Sequence, residues 1–291
     1  MKNRYRLSSN AFEREAEQDK VETQKIFFLS VEGNETEKEY FEGISANRSH
    51  LGINVIVDVQ VLNRRRKDTN SAPWQVIELL EEYLRLRENG KETIIQDIPE
   101  EFIQKYGVEF IQNFLNGGTG ITKRQRNEFH TDLLKIGYDI HYRKYLQKYN
   151  SKLDEFGILI DRDMQTHSET NMLECIAYCK EKNYSCYIVN PCFEFWLLLH
   201  LSDVKKEYAD KLMEIKENKR ISKNHTFVSK EVSSKAHHGK YGINFSKNYM
   251  PHIDIAMERA KTFASDELEL VDNIGCNIWK LIEAMKNYKL K

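Results

Sequence analysis

Short, nearly continuous apolar runs constrain the fold of this 291-residue chain more than any other feature of its sequence. They are Lys25 to Val31, Phe156 to Asp163 and Ser185 to Asn190, with a further β-rich run from Ile53 to Leu62. Uninterrupted apolar runs of this length are typical of strands buried on both faces of a parallel sheet. An amphipathic helical pattern separates the second run from the third, in the order of a parallel crossover unit. The sequence therefore predicts an α/β fold with a parallel sheet flanked by helices.

Helical patterns occupy most of the chain outside these runs. Thr36 and Glu39 have the spacing of a capping box, which would start a helix directly after the first strand. Apolar spacing predicts another helix that begins near Pro73 and ends at Asn89-Gly90, and a further helix over Phe102 to Leu115. We expect these helices to cover the faces of the sheet and to form an insertion beside it.

The sequence divides into three parts around the predicted sheet. Residues 1–22 alternate basic and acidic side chains without an apolar face, which predicts a loosely docked N-terminal arm. Residues 23–205 form the domain that contains the predicted sheet, with a helical insertion at about 64–150. Residues 206–291 predict a helical C-terminal region that carries a basic patch.

The charge is balanced overall but not locally. Lys and Arg number 44 against 45 Asp and Glu. This balance excludes a uniformly basic protein of the kind that coats nucleic acid. From Lys205 to Lys247, however, there are 11 basic and 5 acidic residues. Such a local excess is typical of phosphate-backbone binding, although a solvated helical face has a similar composition. Within it, Lys240 is a candidate for a phosphate or transition-state contact.

Cysteine usage and hydropathy indicate the environment that we expect for the chain. Its five cysteines are an odd number without a Cys-x-x-Cys pair, which favours reduced, buried thiols over a disulfide framework or a zinc knuckle. No run approaches the roughly 20 apolar residues of a membrane helix, and residues 1–20 lack the apolar core of a signal peptide. We therefore expect a cytoplasmic protein without a membrane partner.

Carboxylates follow two of the predicted strands. Glu32 comes directly after the first run, and Asp161 and Asp163 end the second. The carboxyl ends of parallel strands share one edge of a sheet, where functional groups gather. Clustered carboxylates repel one another unless a cation neutralises them, and oxygen ligands suit Mg²⁺ or Mn²⁺. An Asp-x-Asp pair after a strand is equally typical of a loop cap or a salt bridge.

Two further acids and one histidine are candidates near these positions. Glu37 lies about one helical turn beyond Glu32 and could complete a second metal site, or it could simply be an acid favoured at a helix N-terminus. Glu194 lies in an otherwise apolar helix, where an unpaired carboxylate is costly to bury, which favours a metal-site role. His200, in the same helix, is more typical of a hydrogen-bonded core residue than of a general acid.

An apolar strand ending in Glu-Gly, then a helix, then a later strand ending in Asp-x-Asp, resembles the Toprim fold, the metal-binding module of topoisomerases, primases and the overcoming-lysogenization-defect nucleases. Three segments narrow this resemblance to the RloB family of bacterial phage-defence proteins: Val31 to Phe41, Asp161 to Asp163 and Asn190 to His200. The resemblance covers roughly residues 22–205. It is weaker near the end, where Asn273 to Asn277 lacks the proline of an Asn-Pro family segment.

The resemblance implies a metal-dependent phosphodiesterase of Toprim type. By position, Glu32 would be a metal ligand or general base, and Asp161 and Asp163 the principal ligands of Mg²⁺ or Mn²⁺. The chemical reason is that phosphodiester cleavage develops negative charge on oxygens, which metal ions stabilise. Glu37 and Glu194 would be further ligands, and Lys240 would contact a phosphate. The resemblance thus predicts that the chain is a nuclease.

The resemblance also implies partners, and the residues leave rival functions open. It implies an effector of anti-phage defence or abortive infection, encoded beside a partner ATPase of AAA or ABC type, and it favours RNA, with transfer RNA as one candidate, over DNA. A homo-oligomer is left open. One rival is a catalytically silent regulatory or interaction subunit of the defence ATPase. Another, an aspartyl-phosphate phosphatase, fits poorly because Gln165 stands where that motif has Thr or Val.

Overall fold

The computed structural model describes residues 25–33, 35–62, 72–96, 98–116, 120–136, 138, 140, 153–236 and 242–289. The predicted N-terminal arm and the candidate Lys240 lie outside these residues. So do parts of the expected insertion between residues 64 and 150.

One mixed sheet of five strands organises the described chain. The strands are β1 (Lys25–Val31), β2 (Val57–Val61), β3 (Glu155–Asp161), β4 (Ser185–Asn190) and β5 (Gly275–Cys276). Their order is β2-β1-β3-β4-β5; β1 to β4 are parallel, and β5 is antiparallel to β4. The expected α/β fold, with a mainly parallel sheet, is confirmed.

The second strand and the last one differ from the sequence pattern. β2 begins at Val57 and not at Ile53, because the residues before it form a turn in which the Val57 N–H donates to the Asn54 carbonyl at 2.8 Å. β5 was not predicted, since a strand of two residues is too short to show a hydropathy period.

Both faces of the sheet are covered by apolar side chains. All seven residues of β1 are buried, as a strand in the middle of a two-sided core requires. Phe27, Leu29 and Val31 pack into one core cluster, and Ile26 and Phe28 pack into the cluster on the opposite face. This alternation is the period-two geometry of a strand.

Helices cover the sheet and build the two additional regions. The first seven are α1 (Thr36–Ala46), α2 (Pro73–Gln96), α3 (Glu100–Tyr106), α4 (Val108–Leu115), α5 (Lys123–Lys135), α6 (Glu169–Lys182) and α7 (Phe193–Leu201). The C-terminal region contains α8 (Val204–Glu207), α9 (Leu212–Glu217), α10 (Phe227–Lys235), α11 (Phe245–Asn248), α12 (Ile253–Ala260), α13 (Glu267–Asp272) and α14 (Ile278–Asn287). Among the described residues, none of the helices has the length and apolarity that crossing a membrane requires.

Three predictions about the helices, a capping box and two helix boundaries, were wrong. The predicted capping box does not form, because α1 already begins at Thr36 and the Glu39 carboxylate instead accepts a hydrogen bond from the Ile243 N–H at 2.9 Å. α2 continues through Gly90 to Gln96. The helix expected over residues 102–115 is divided at Gly107, whose φ of 82° is incompatible with a continuous α-helix.

The described part of the insertion has its own apolar core. Buried residues of α3, α4 and α5 form a cluster separate from those of the sheet, with Phe102, Phe114 and Phe129 among its members. Three aromatic rings of this cluster surround Phe129, with centroid distances of 4.9 to 5.4 Å. The helical character expected for this segment is therefore observed.

α7 lies within the core that covers one face of the sheet. It is apolar around its circumference, and seven of its nine residues are buried. Its neighbours are β4, α10 and α12, so the C-terminal region and the sheet enclose it together. A helix that is apolar on all sides requires such surroundings.

The cysteines have the environment that the sequence predicted. Cys175, Cys179, Cys186, Cys192 and Cys276 are all free and buried. Three of them pack into the core cluster beneath α6, where a thiol acts as a small apolar side chain. The expectation of reduced, buried thiols is confirmed.

Candidate active site

The candidate site lies where the direction of strand succession reverses. From β1 the chain first adds β2 on one side, and it later adds β3 on the other side of β1. Such a switch point, at the carboxyl ends of parallel strands, is the usual ligand site of open α/β sheets. Glu32 follows β1 and Asp161 ends β3, so both acids stand at this crevice.

An open pocket of about 480 Å³ lies at this edge of the sheet. We call it the acidic pocket; it is lined by Gly33, Glu35, Thr36, Glu37, Asp161, Phe193 and Glu194. Three of the predicted site residues, Glu37, Asp161 and Glu194, therefore share one surface. Glu35 is an additional acid that the sequence did not single out. Glu32 does not line the pocket, but its charge raises the pKa of both Glu37 and Asp161.

Glu32 is held by two hydrogen bonds from the segment around β3. One carboxylate oxygen, Oε2, accepts from the Asp161 N–H at 3.1 Å. The other, Oε1, lies 3.1 Å from Nε2 of His167, a buried residue of the loop after β3. His167 was missed at the sequence level because it belongs to no motif, and only the fold brings it next to Glu32.

Glu37 is a buried carboxylate at the start of α1. Its Oε1 accepts from the Gly33 N–H at 3.0 Å, and only 7% of the residue is exposed. Burial raises the pKa of Glu37 to about 7, and repulsion by Glu194 and Glu32 acts in the same direction. A Cβ atom on Gly33 would lie 2.0 Å from Glu37 Oε2. The glycine is therefore required for this approach of the carboxylate to the backbone.

Asp161 is the second of these acids whose pKa is raised. Burial raises its pKa well above the ordinary value, and the charges of Glu32, Glu37 and Glu194 raise it further. A hydrogen bond from the backbone N–H of Phe193 opposes this effect by favouring the charged form. The four acids thus act on one another electrostatically, although they come from three segments distant in sequence.

Asp163 is oriented differently from Asp161. Its Oδ1 accepts from the Gln165 N–H at 3.2 Å, and its Oδ2 accepts from Thr166 Oγ1 at 2.9 Å. It does not line the acidic pocket. The structure therefore shows the loop-capping geometry that the sequence left open, and it does not bring Asp163 together with the other predicted site residues.

Arg162 connects the loop after β3 to the C-terminal region, which the sequence did not predict. It is buried, and its Nη1 donates to the His167 carbonyl at 2.7 Å. Its Nε donates to the Val271 carbonyl at 2.6 Å at the end of α13. Arg162 therefore fixes the loop that carries His167, and through His167 it supports Glu32.

Contacts in the core beneath the pocket hold α1 and α7 against each other. Tyr40 Oη lies 3.1 Å from His200 Nε2, and His200 Nδ1 lies 2.9 Å from the Trp196 carbonyl. Burial lowers the pKa of His200 to about 3, so its ring is neutral. His200 is a core residue, as expected. Because Glu37 and Glu194 lie on the same two helices, this contact also sets their separation.

The donor chemistry of the site fits a hard divalent cation. All the acids offer carboxylate oxygens, and burial with mutual repulsion favours a compensating positive charge. As the side chains lie, however, no three Asp, Glu, His or Cys residues among those described are placed to hold an ion. Both oxygens of Glu32 and one of Glu37 already accept hydrogen bonds. Metal binding would therefore require rearrangement of side chains.

The predicted basic patch is partly neutralised. Lys206 pairs with Asp203 at 2.9 Å, Lys219 with Glu217 at 2.8 Å, and Lys235 with Glu207 at 2.8 Å. Such exposed pairs reduce the local excess of positive charge without stabilising the fold much. A phosphate contact by Lys240 stays a prediction, because that residue lies outside the described chain.

Comparison with protein families gives one match. A family model described as RloB-like protein matches residues 27–285, which include the four acids at the switch point. No curated protein and no solved structure shows significant similarity to the chain.

Proposed function

The chain belongs to the RloB-like family, and from this membership and the acidic pocket we propose that it is a divalent-metal-dependent nuclease. The observation that carries the proposal is the convergence of Glu32, Glu37, Asp161 and Glu194 at the switch point of the sheet, with raised pKa values at two of them. Carboxylates in this state are typical of a site that holds divalent cations. The proposal includes a sheet of Toprim type, in agreement with the resemblance of its strand ends.

When bound, Mg²⁺ or Mn²⁺ supplies positive charge against phosphate oxygens and lowers the pKa of a coordinated water. Asp161, Glu37 and Glu194 would hold the ion through the oxygens that line the pocket. Glu32, held by the Asp161 N–H and His167, keeps lone pairs with which to serve as a further ligand of the ion or to accept a proton. Phe193, a buried residue that lines the pocket, gives it one apolar wall.

The biological role is part of the same proposal. The sequence resemblance supports an effector of anti-phage defence that works with a partner ATPase. It also favours RNA over DNA as the substrate. Neither the ATPase nor the RNA follows from the geometry of the acidic pocket.

A catalytically silent regulatory subunit is the second candidate, and one observation favours it. Among the described residues, no set of three metal-binding side chains is preformed, and both carboxylate oxygens of Asp163 accept hydrogen bonds from its own loop. A protein that binds a partner or an ion without cleaving would need no closer arrangement. Cleavage assays separate the two candidates.

The test is cleavage of labelled cellular RNA and plasmid DNA in Mn²⁺, Mg²⁺ or EDTA. We expect metal-dependent cleavage by the wild type, and a loss on the order of 100-fold or more in Asp161→Asn, because several kcal/mol of charge stabilisation disappear. Glu169→Gln is the matched control, since Glu169 is an exposed acid of α6 outside the pocket. Equal activity of all three proteins would assign the cleavage to another site or a contaminant.

If the wild type shows no cleavage, the assay is repeated with the partner ATPase that the resemblance implies. Cleavage that appears only then would support a nuclease restrained by its partner. Continued silence would support the regulatory subunit instead, provided that the wild type binds Mn²⁺ and Asp161→Asn does not.

A further inference from the structure

A second pocket, of about 460 Å³, lies at the carboxyl end of α7, the helix whose first turn enters the acidic pocket. We call it the basic pocket, because every ionisable residue that lines it is basic: His200, Lys235, Lys247, His252 and Arg259. Glu194 and His200 are six residues apart in α7, which corresponds to roughly 9 Å along the helix axis. The two pockets therefore have opposite charge and lie near opposite ends of one short helix.

The basic residues of this pocket come from separate elements. Lys235 ends α10, and Lys247 belongs to α11. His252 directly precedes α12, and Arg259 lies in its last turn. Two of these residues, His252 and Arg259, lie beyond the basic region that the sequence indicated. The fold brings these side chains to one concave surface, which a merely solvated helical face does not require.

Arg259 is anchored with donors to spare. Its Nη1 donates to the carbonyls of Leu199 at 2.7 Å and His200 at 3.3 Å, at the end of α7. Within the described chain its Nε and Nη2 make no hydrogen bond. A guanidinium fixed in this way presents a planar set of N–H donors that matches phosphate oxygens. Capping of the α7 carbonyls therefore uses Nη1 of Arg259 and leaves Nε and Nη2 as possible donors to a ligand.

Lys247 has no acidic partner among the described residues. Its side chain is exposed and forms no ion pair with a described acid, unlike Lys235, which pairs with Glu207 at 2.8 Å. The acids of α12 face other lysines: Asp254 pairs with Lys286, and Glu258 lies 3.1 Å from Lys261. The acids of α12 therefore do not compensate the charge of Lys247. Arg259 has one acid nearby, since its charge helps to lower the pKa of Asp203, which pairs with Lys206.

From this arrangement we propose that the basic pocket binds a phosphate group, with Arg259 and Lys247 as its main contacts. The phosphate comes from a nucleic-acid strand or from a free nucleotide, because both present anionic phosphate oxygens: a monoanionic phosphodiester in the strand, and a more highly charged terminal phosphate in the nucleotide. If it belongs to a strand, the proposal deepens the proposed function by adding a binding subsite to the nuclease. It does not depend on cleavage, because phosphate binding is measured separately.

The test measures binding in EDTA, where metal-dependent cleavage does not occur. Two probes are used. Binding of a fluorescein-labelled single-stranded RNA of 12 nucleotides is measured by its fluorescence, and binding of ADP is measured by calorimetry. We expect Lys247→Gln to weaken binding of at least one probe about fivefold and, for RNA, to reduce the salt-dependence slope by about 0.7. Lys182→Gln, which removes an exposed lysine of α6 on the other face of the sheet, is the matched control.

Arg259→Lys provides a second variant, since it keeps the charge and one donor for the α7 carbonyls but loses the planar fork. We expect it to weaken the same probe with little change in Tm. Weakening for RNA identifies a strand as the source of the phosphate, and weakening for ADP alone identifies a nucleotide. Binding of both probes at wild-type strength by Lys247→Gln and Arg259→Lys would overturn the proposal. A failure of the proposed nuclease would appear instead in the cleavage assay, either as continued silence of the wild type or as metal-dependent cleavage that Asp161→Asn retains.

Discussion

The Glu32 carboxylate reaches from the end of β1 to the loop after β3, where Oε1 lies 3.1 Å from His167 Nε2. His167 is itself fixed, because its carbonyl accepts from Arg162 Nη1 and its N–H donates to the Asp163 carbonyl at 2.9 Å. The orientation of Glu32 therefore depends on a residue that would not touch a substrate. Side chains that orient metal ligands in this way affect affinity and activity strongly.

We expect His167→Phe to lower Mn²⁺ affinity and metal-dependent cleavage by about 10- to 100-fold, because Glu32 loses a hydrogen-bond partner while the ring volume is kept. His167→Gln should recover part of the loss, since its amide can still bond to the carboxylate. Calorimetry with Mn²⁺ and the cleavage assay measure both effects. His50→Gln, at an exposed histidine, is the control. Unchanged Mn²⁺ affinity in His167→Phe would show that this contact does not position Glu32.

Glu37 predicts a specific pH dependence of stability. Its folded pKa of about 7 lies above the ordinary value of 4.5, so the folded state binds the proton more tightly than the unfolded state. This contribution is fully present below pH 4.5 and is lost as the pH rises through 7. Relative to Glu37→Gln, the wild type should lose up to about 3 kcal/mol of unfolding free energy over this range.

Urea unfolding in EDTA at several pH values between 4.5 and 8 checks this prediction. The comparison with Glu37→Gln removes contributions common to both proteins, including the opposite effect of the buried His200. Glu169→Gln should follow the wild type throughout. A constant difference between wild type and Glu37→Gln across the range would show that the Glu37 pKa is not raised.

Gly33→Ala should mimic loss of Glu37. The added methyl group would lie 2.0 Å from Glu37 Oε2, so the carboxylate must leave its hydrogen bond to the Gly33 N–H. We expect Mn²⁺ affinity to fall about as far as in Glu37→Gln, with a change in stability of about 1 kcal/mol or less. Calorimetry on the single and double variants checks this: combining the two changes should add little. Additive losses would mean that Gly33 acts independently of Glu37.

The sheet could be predicted because its signal is local and redundant. The runs at residues 25–31 and 185–190 match β1 and β4 closely, since strands buried on both faces admit few polar residues. Helix boundaries were less predictable. Gly90 is tolerated inside α2, whereas Gly107 separates α3 from α4, and the sequence does not distinguish a helical glycine from one with positive φ.

The site was predictable where it follows the strand ends and not where it depends on packing. Glu32 and Asp161 could be placed from topology, because parallel strands bring their carboxyl ends to one edge. His167 and Arg162 have no such signal; their roles arise from a loop conformation and from contacts with a distant helix. Asp163 could not be resolved either, since an Asp-x-Asp pair suits both metal ligation and a turn.

The last prediction separates the two aspartates. Asp161→Asn should abolish Mn²⁺ binding and, in EDTA, raise stability, because a half-buried carboxylate that three acids repel becomes neutral. Asp163→Asn should retain Mn²⁺ affinity within about threefold, since an amide oxygen can still accept from the Gln165 N–H. Asp163→Ala should lower the unfolding free energy by about 1–2 kcal/mol through the loss of two turn hydrogen bonds. Calorimetry and urea unfolding of the three variants measure these differences. If Asp163→Asn abolishes Mn²⁺ binding as completely as Asp161→Asn does, the loop must rearrange around the ion and Asp163 belongs to the ligand set.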